Sequence, residues 1–255
     1  MSKDEVKNEV LDDSAYDDVA GAGYDEMGGD KFTIPMLLCA QSTSEVARDK
    51  VNGIEAGCYY NSVTKENYGK EITVVIAHFE PTWQVWKPNL GGFVARVRPN
   101  SIKVKGDVYK GMTTPEGNDV IDTWMYFVLI KGQEDRGMLM MPITSNAIKY
   151  AKILNGMTHD SRMTSGKRAP LFYNYWTLGS GRTKFEKGDS YSFGEGSTPL
   201  IKCAGMVPPA IYLSCVKDAI AIAPAAVYGT ATLALDEPQP QLAIAEDSSD
   251  ASGKY

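Results

Sequence analysis

His78 and His159 are the only histidines in this 255-residue chain. Its four cysteines, Cys39, Cys58, Cys203 and Cys215, stand singly. No pair has the spacing of a metal knuckle, so no zinc site is expected, and no other metal or cofactor either. Scattered cysteines of this kind read as small buried or half-buried thiols in a reducing compartment. No apolar run is long enough to cross a bilayer, so no membrane partner is expected. The opening residues MSKDEVKNEVLDDSAYDD are acidic and lack an apolar h-region. They read as neither a secretory signal nor a basic transit peptide, which gives a cytoplasmic expectation.

Catalytic motifs are missing too. GSGRTK, from Gly179 to Lys184, has glycines and bases but not the Walker spacing, and reads as a basic hairpin tip. His159 and Asp160 fall in the polar loop MTHDSRMTSGKR. His78 falls on a strand, as a satisfied core or edge histidine. No Ser or Cys stands in a nucleophile-elbow context, and no paired carboxylates stand against apolar flanks. The chain does not read as an enzyme.

What the chain does have is uneven charge. The net charge of −6 is made of two acidic ends and a basic middle. Residues 1–30 hold ten acids and two bases, and residues 236–255 hold five acids and one base. Residues 31–235 carry 23 bases against 17 acids, a net of +6. An acidic pI of about 5.1 therefore does not argue against an anionic ligand for the body. The low apolar content of the two ends reads as a disordered arm, 1–30, and a disordered tail, 236–255.

Between them, EITVVIAHF alternates Ile72, Val74 and Ile76 with Thr73, Val75, Ala77 and Phe79. Both faces are apolar, as in a buried strand. DTWMYFVLI has the same character, KGQEDRG reads as a hairpin loop, and MLMMPI as the returning strand. Thr144 or Ser145 is placed to cap a helix in TSNAIKYAKILNGM that ends at Gly156. PLFYNYWTL and FEKGDSYSF continue as strands, while IYLSCVKDAIAIAP is ambiguous between strand and helix. The order β-β-β-α-β-β over 71–193 predicts a mainly β fold, an OB-like five-stranded barrel over 31–235, with residues 81–120 as an inserted loop or hairpin.

The aromatic residues point to a ligand. Of 25, eleven lie between Tyr59 and Phe127 and seven between Phe172 and Phe193. They recur beside bases. Trp83 and Trp86 stand next to Lys87, and Phe93 stands near Arg96 and Arg98. Lys103, Lys105 and Lys110 flank Tyr109, and Tyr173 and Tyr175 precede Arg182 and Lys184. Stacked rings with cations that track phosphates are what a single-strand binder needs. In RVRPNSIKVKGDVYKG the bases alternate with apolar residues, which projects them from one face of a strand. Arg162, Lys167 and Arg168 form a second basic group. The competing reading of the aromatics is core packing, which any β-sheet requires. It suits Phe79, Phe127 and Phe172 best.

FTIPMLLCAQ, NSVTKENYGKEITVVIAHF, TWMYFVLI and MLMMPITSNAIKYAK together resemble a family of tailed-bacteriophage proteins. The resembling span is about residues 32–195. It carries an Ile-Pro motif, an Asn-x-Val-Thr turn followed by Tyr-Gly and an apolar strand, and a strand–hairpin–helix unit. The resemblance implies a phage replication protein that binds single-stranded DNA in the host cytoplasm. The acidic tail is similar to those of single-stranded-DNA-binding proteins, which implies replication or recombination proteins as partners; it departs from them in closing on Gly-Lys-Tyr. The expected ligand is single-stranded DNA, with self-association possible, and the expected DNA-binding set is Trp83, Trp86, Lys87, Arg96, Arg98, Lys103, Lys105, Lys110, Tyr173, Tyr175, Arg182 and Lys184. The alternatives from other classes are a virion or assembly protein with a protein-binding β-rich surface, and a modulator of host transcription or defence.

Overall fold

The computed structural model describes residues 35–107, 111–185 and 188–227. The acidic arm and the acidic tail lie outside the described residues, as does Lys110. The fold is mainly β, with antiparallel sheets.

Three short strands open it: β1 (Leu37–Cys39), β2 (Tyr59–Asn61) and β3 (Asn67–Gly69), in that order in one small sheet. A single helical turn, α1 (Glu45–Arg48), lies between β1 and β2. Two long strands then dominate: β4 (Glu71–Trp86) and β8 (Asp119–Ile130), paired along nearly their whole length. Between them come β5 (Phe93–Val97), β6 (Lys105–Asp107) and β7 (Gly111–Thr113). Then follow β9 (Leu139–Thr144), α2 (Ile148–Asp160), β10 (Asn174–Gly179), β11 (Gly181–Phe185) and β12 (Gly188–Ser192). The last elements are β13 (Gly194–Glu195), β14 (Thr198–Pro199), β15 (Ile201–Met206), α3 (Pro209–Ile211), a π turn at Tyr212–Val216 and α4 (Lys217–Val227).

β4 and β8 form a central ribbon with two sets of partners. At the inner end β10 pairs with β4, β15 with β10, and β9 with β8. At the outer end β5 pairs with β4 and β7 with β8, and β6 extends β7. This arrangement corrects the expected barrel: among the described residues the sheet stays open. Each edge of the ribbon is shared between an inner and an outer neighbour, so no single ring of five strands forms. The inserted region 81–120 is therefore the outer half of the sheet.

The alternation in β4 holds until a register shift between Ile76 and His78. Ile72, Val74 and Ile76 enter the main core with Tyr126, Val128, Leu139, Met141, Tyr150, Leu154 and Trp176. Val75 and Ala77 enter the opposite core, under the C-terminal helices. Phe79 was expected on the side of Ala77 but packs against the main core, because the bulge inserts one residue and swaps the faces beyond it. α2 covers the main core with Tyr150, Ala151 and Leu154. It starts after a 3₁₀ turn at Ser145–Ala147 and runs through Gly156 to Asp160, with no side-chain cap at Thr144. The ambiguous IYLSCVKDAIAIAP is helical and buries Val216, Ala219 and Ala223 at helical spacing.

Candidate functional site

On the outer half of β4, strand alternation separates the two tryptophans of the predicted set. Trp83 is 8% exposed and packs with Val85, Met112 and Val120. It belongs to the core beneath the outer sheet, which corrects its reading as a stacking residue. Val97, Ile102 and Val104 pack against the same cluster. The apolar members of the basic run thus face inward, and Arg98, Lys103 and Lys105 are exposed. Arg98 Nε lies 4.0 Å from Glu80 Oε1.

Trp86 faces the other side and is half-buried. Its ring meets Phe93 edge-on, with centroids 5.4 Å apart at 78°. Its indole Nε1 is buried with no hydrogen-bond partner among the described residues. Phe93 is 51% exposed. Arg96 lies opposite Gln84 in the β4–β5 ladder, and its Nη1 is 3.9 Å from Met140 Sδ on β9. Gln84, Trp86, Phe93 and Arg96 line a groove of about 760 Å³. Met141, Pro142, Ile143 and Thr144 of β9, Met36–Cys39 at the start of the first sheet, and Ser190–Phe193 also line it. Gln41 ties two lining segments together: its Nε2 donates to Tyr191 O (2.9 Å) and its Oε1 accepts from Tyr191 N (2.8 Å). No carboxylate is among the described residues that line the groove, and Arg96 supplies its positive charge.

A second cleft, of about 750 Å³, lies on the other side of Ser145 and Asn146, which line both. Trp124, Asp122, Lys149 and Lys152 line it. Burial raises the Asp122 carboxyl above its usual range, and Lys152 opposes that shift. Lys149 reaches Gly196 O and stands 4.7 Å from the Tyr150 ring centroid. Ser145 holds a left-handed backbone (φ 50), a conformation few side chains favour, so the turn between the clefts is fixed in a sparsely populated shape.

The other predicted site residues are not brought together here. Lys87 is exposed at the β4–β5 turn but does not line the groove. Tyr175 is 3% exposed, and its hydroxyl donates to Glu134 Oε1 at 2.5 Å. Burial, then the Glu134 carboxylate, pushes its phenol well above the usual range, so Tyr175 is a core residue and is corrected out of the set. Glu134 is itself 7% exposed and also accepts from Gly132 N. Tyr173 is half-buried in the turn before β10. Arg182 is paired with Asp189 at 2.7 Å on the β11–β12 hairpin, and Lys184 is exposed on the same strand. Sequence reasoning missed Gln84, Trp124, Lys149, Lys152 and Tyr191 as lining residues. The lysines lay three apart on an amphipathic helix, which places them on one face.

Residues 3–216 match the Pam3 phage gp34-like protein family. The chain belongs to this family. No curated protein and no solved structure gives a significant match. The phage expectation is thus met at the level of the family, and the match takes in both clefts and residues 3–30 of the acidic arm. Among the described residues, no three His, Cys, Asp or Glu side chains are grouped to hold a metal ion, and no helix is long and apolar enough to cross a membrane.

Proposed function

We propose that this phage protein binds single-stranded DNA along the two clefts, acting as a binder and not as an enzyme in the host cytoplasm. One observation carries the reading. Trp86, Phe93 and Arg96 meet in an open groove that no described carboxylate lines. A half-buried ring with an exposed partner ring offers a base a stacking face, and a nearby guanidinium offers a phosphate a charge. Amides and hydroxyls from Gln84, Ser190 and Ser192 line the same space and suit the edges of an unpaired base. The strand would cross Ser145–Asn146 into the second cleft, where Trp124, Lys149 and Lys152 repeat the combination of ring and cation.

The test is a tryptophan-fluorescence titration with oligo(dT) and with a duplex of equal length, at two salt concentrations. If Arg96, Lys149 and Lys152 each neutralise one phosphate, log K should fall against log salt with a slope of roughly −2. Affinity would drop about twentyfold between roughly 50 and 200 mM salt. The duplex should bind more weakly, because its bases are stacked within the helix. Equal binding of both forms, or no binding at low salt, overturns the reading.

A further inference from the structure

We infer that the groove has an occupant within the chain: the acidic arm, residues 1–30, folds back into it and competes with single-stranded DNA. The groove is taken from the reading above, but the arm can be tested without DNA.

The first observation is where the arm is attached. Pro35 O accepts from Met140 N at 3.0 Å, and Met36 bridges to Met140 in parallel. Met36 N donates to Ser62 Oγ at 2.8 Å. Met36 is part of the groove wall, and Met140 lies 3.9 Å from Arg96. The arm therefore joins the described fold at the groove itself. Tyr24 is eleven residues before Pro35. An extended chain of that length spans roughly 36–40 Å, more than enough to reach any part of the groove.

The second observation is chemical. The arm carries ten acids and two bases, and the groove carries a guanidinium and no described carboxylate. Within the arm, Tyr16-Asp17-Asp18 and Tyr24-Asp25-Glu26 each set a flat ring directly beside two carboxylates. A ring for Trp86 and Phe93 and an anion for Arg96 are the same features a nucleotide would present. A tether of this length gives the arm an effective concentration near the millimolar range, so modest contacts suffice.

The third observation separates the arm from the acidic tail. The family match begins at residue 3 and ends at residue 216. It contains residues 3–30 of the arm and leaves out residues 236–255.

The experiment uses the full-length chain with Tyr24→p-benzoylphenylalanine, irradiated and mapped by peptide mass spectrometry. Cross-links within one chain to the peptides of β5 or β9 are expected, and Phe93→Ser, at an exposed position, should reduce them severalfold. Cross-links scattered over other faces, or between two chains, overturn the inference. Saturating oligo(dT) then tells the two readings apart. Loss of the cross-links supports competition for one groove. Cross-links that persist while oligo(dT) is bound overturn the competition and place DNA elsewhere. If oligo(dT) does not bind at all, cross-links to the groove still establish the arm as its occupant, while the DNA reading fails. In a second full-length variant, Asp17→Asn, Asp18→Asn, Asp25→Asn and Glu26→Gln together should tighten oligo(dT) binding about tenfold at low salt, with the gain vanishing at high salt. Unchanged affinity at low salt overturns the competition.

Discussion

Trp83 and Trp86 are three residues apart in the chain and on opposite faces of one strand. Replacing each by alanine should therefore separate stability from binding. Trp83 fills the outer core between Val85, Met112 and Val120. Truncating a buried tryptophan costs about 3–5 kcal/mol. At about 2–4 °C per kcal/mol for a chain of this size, Trp83→Ala should lower Tm by about 6–20 °C. Trp86 is half-buried, and its edge-on contact with Phe93 contributes about 0.5–1.5 kcal/mol beyond its buried area. Trp86→Ala should cost only a few degrees. On the DNA reading it should weaken oligo(dT) binding by about 1–3 kcal/mol, roughly 5- to 150-fold. Differential scanning fluorimetry and the oligonucleotide titration, run on the same preparations, measure both quantities. A Trp86→Ala protein that melts as low as Trp83→Ala and binds as well as the wild type would refute the assignment of faces.

Other positions give independent checks. An added Cβ at Gly194 would fall 2.2 Å from the ring of the buried Tyr150, so Gly194→Ala should destabilise by roughly 1–3 kcal/mol or more, read as a lower urea midpoint. Tyr175→Phe removes a hydroxyl from the buried Glu134 carboxylate and should cost about 1.5–3 kcal/mol at neutral pH, measured by chemical denaturation. Burial lifts the Cys39 thiol from 9.0 to about 11, whereas Cys203 is exposed, so iodoacetamide at pH 8 should label Cys203 well before Cys39 by mass spectrometry. The unfolded Cys39 thiol loses its proton near pH 9 and the folded one near 11. Stability from this group is therefore complete below about pH 9 and should fall as pH rises toward 11, an effect that Cys39→Ser should flatten in a pH series of melts.

The sheet's inner strands were legible because their apolar alternation is strong: the segments read from EITVVIAHF, DTWMYFVLI and MLMMPI became β4, β8 and β9. The open architecture was not, because nothing local in FEPTWQVW says that β4 continues unbroken past Pro81 to Trp86. Pairing with β8 decides that, and pairing is non-local. The bulge after Ile76 was equally hidden, since one inserted residue leaves no mark on composition yet exchanges the faces of all that follows. That exchange moved Phe79 into the main core. For the site, the sequence put Trp86 and Arg96 in the set but also Trp83 and Tyr175, whose burial comes from strands and turns far away in the chain. Lys149 and Lys152 were passed over because the helix was read for its buried face.

The long β4–β8 ladder also bears on how the chain finds its fold. Its register runs from Trp86 opposite Asp119 to Val74 opposite Ile130. The loop to be closed is shortest at the outer end and lengthens with every pair toward the inner end. Closure entropy rises with loop length, so pairing is expected to start at the outer end and proceed inward. Trp83 and Val120 would then lie in the folding nucleus, and Val120→Ala should slow refolding more than it speeds unfolding, whereas Leu129→Ala should do the reverse. On that order, the strand segment bearing Trp86 is among the first parts of the protein to take shape, and the central core closes behind it.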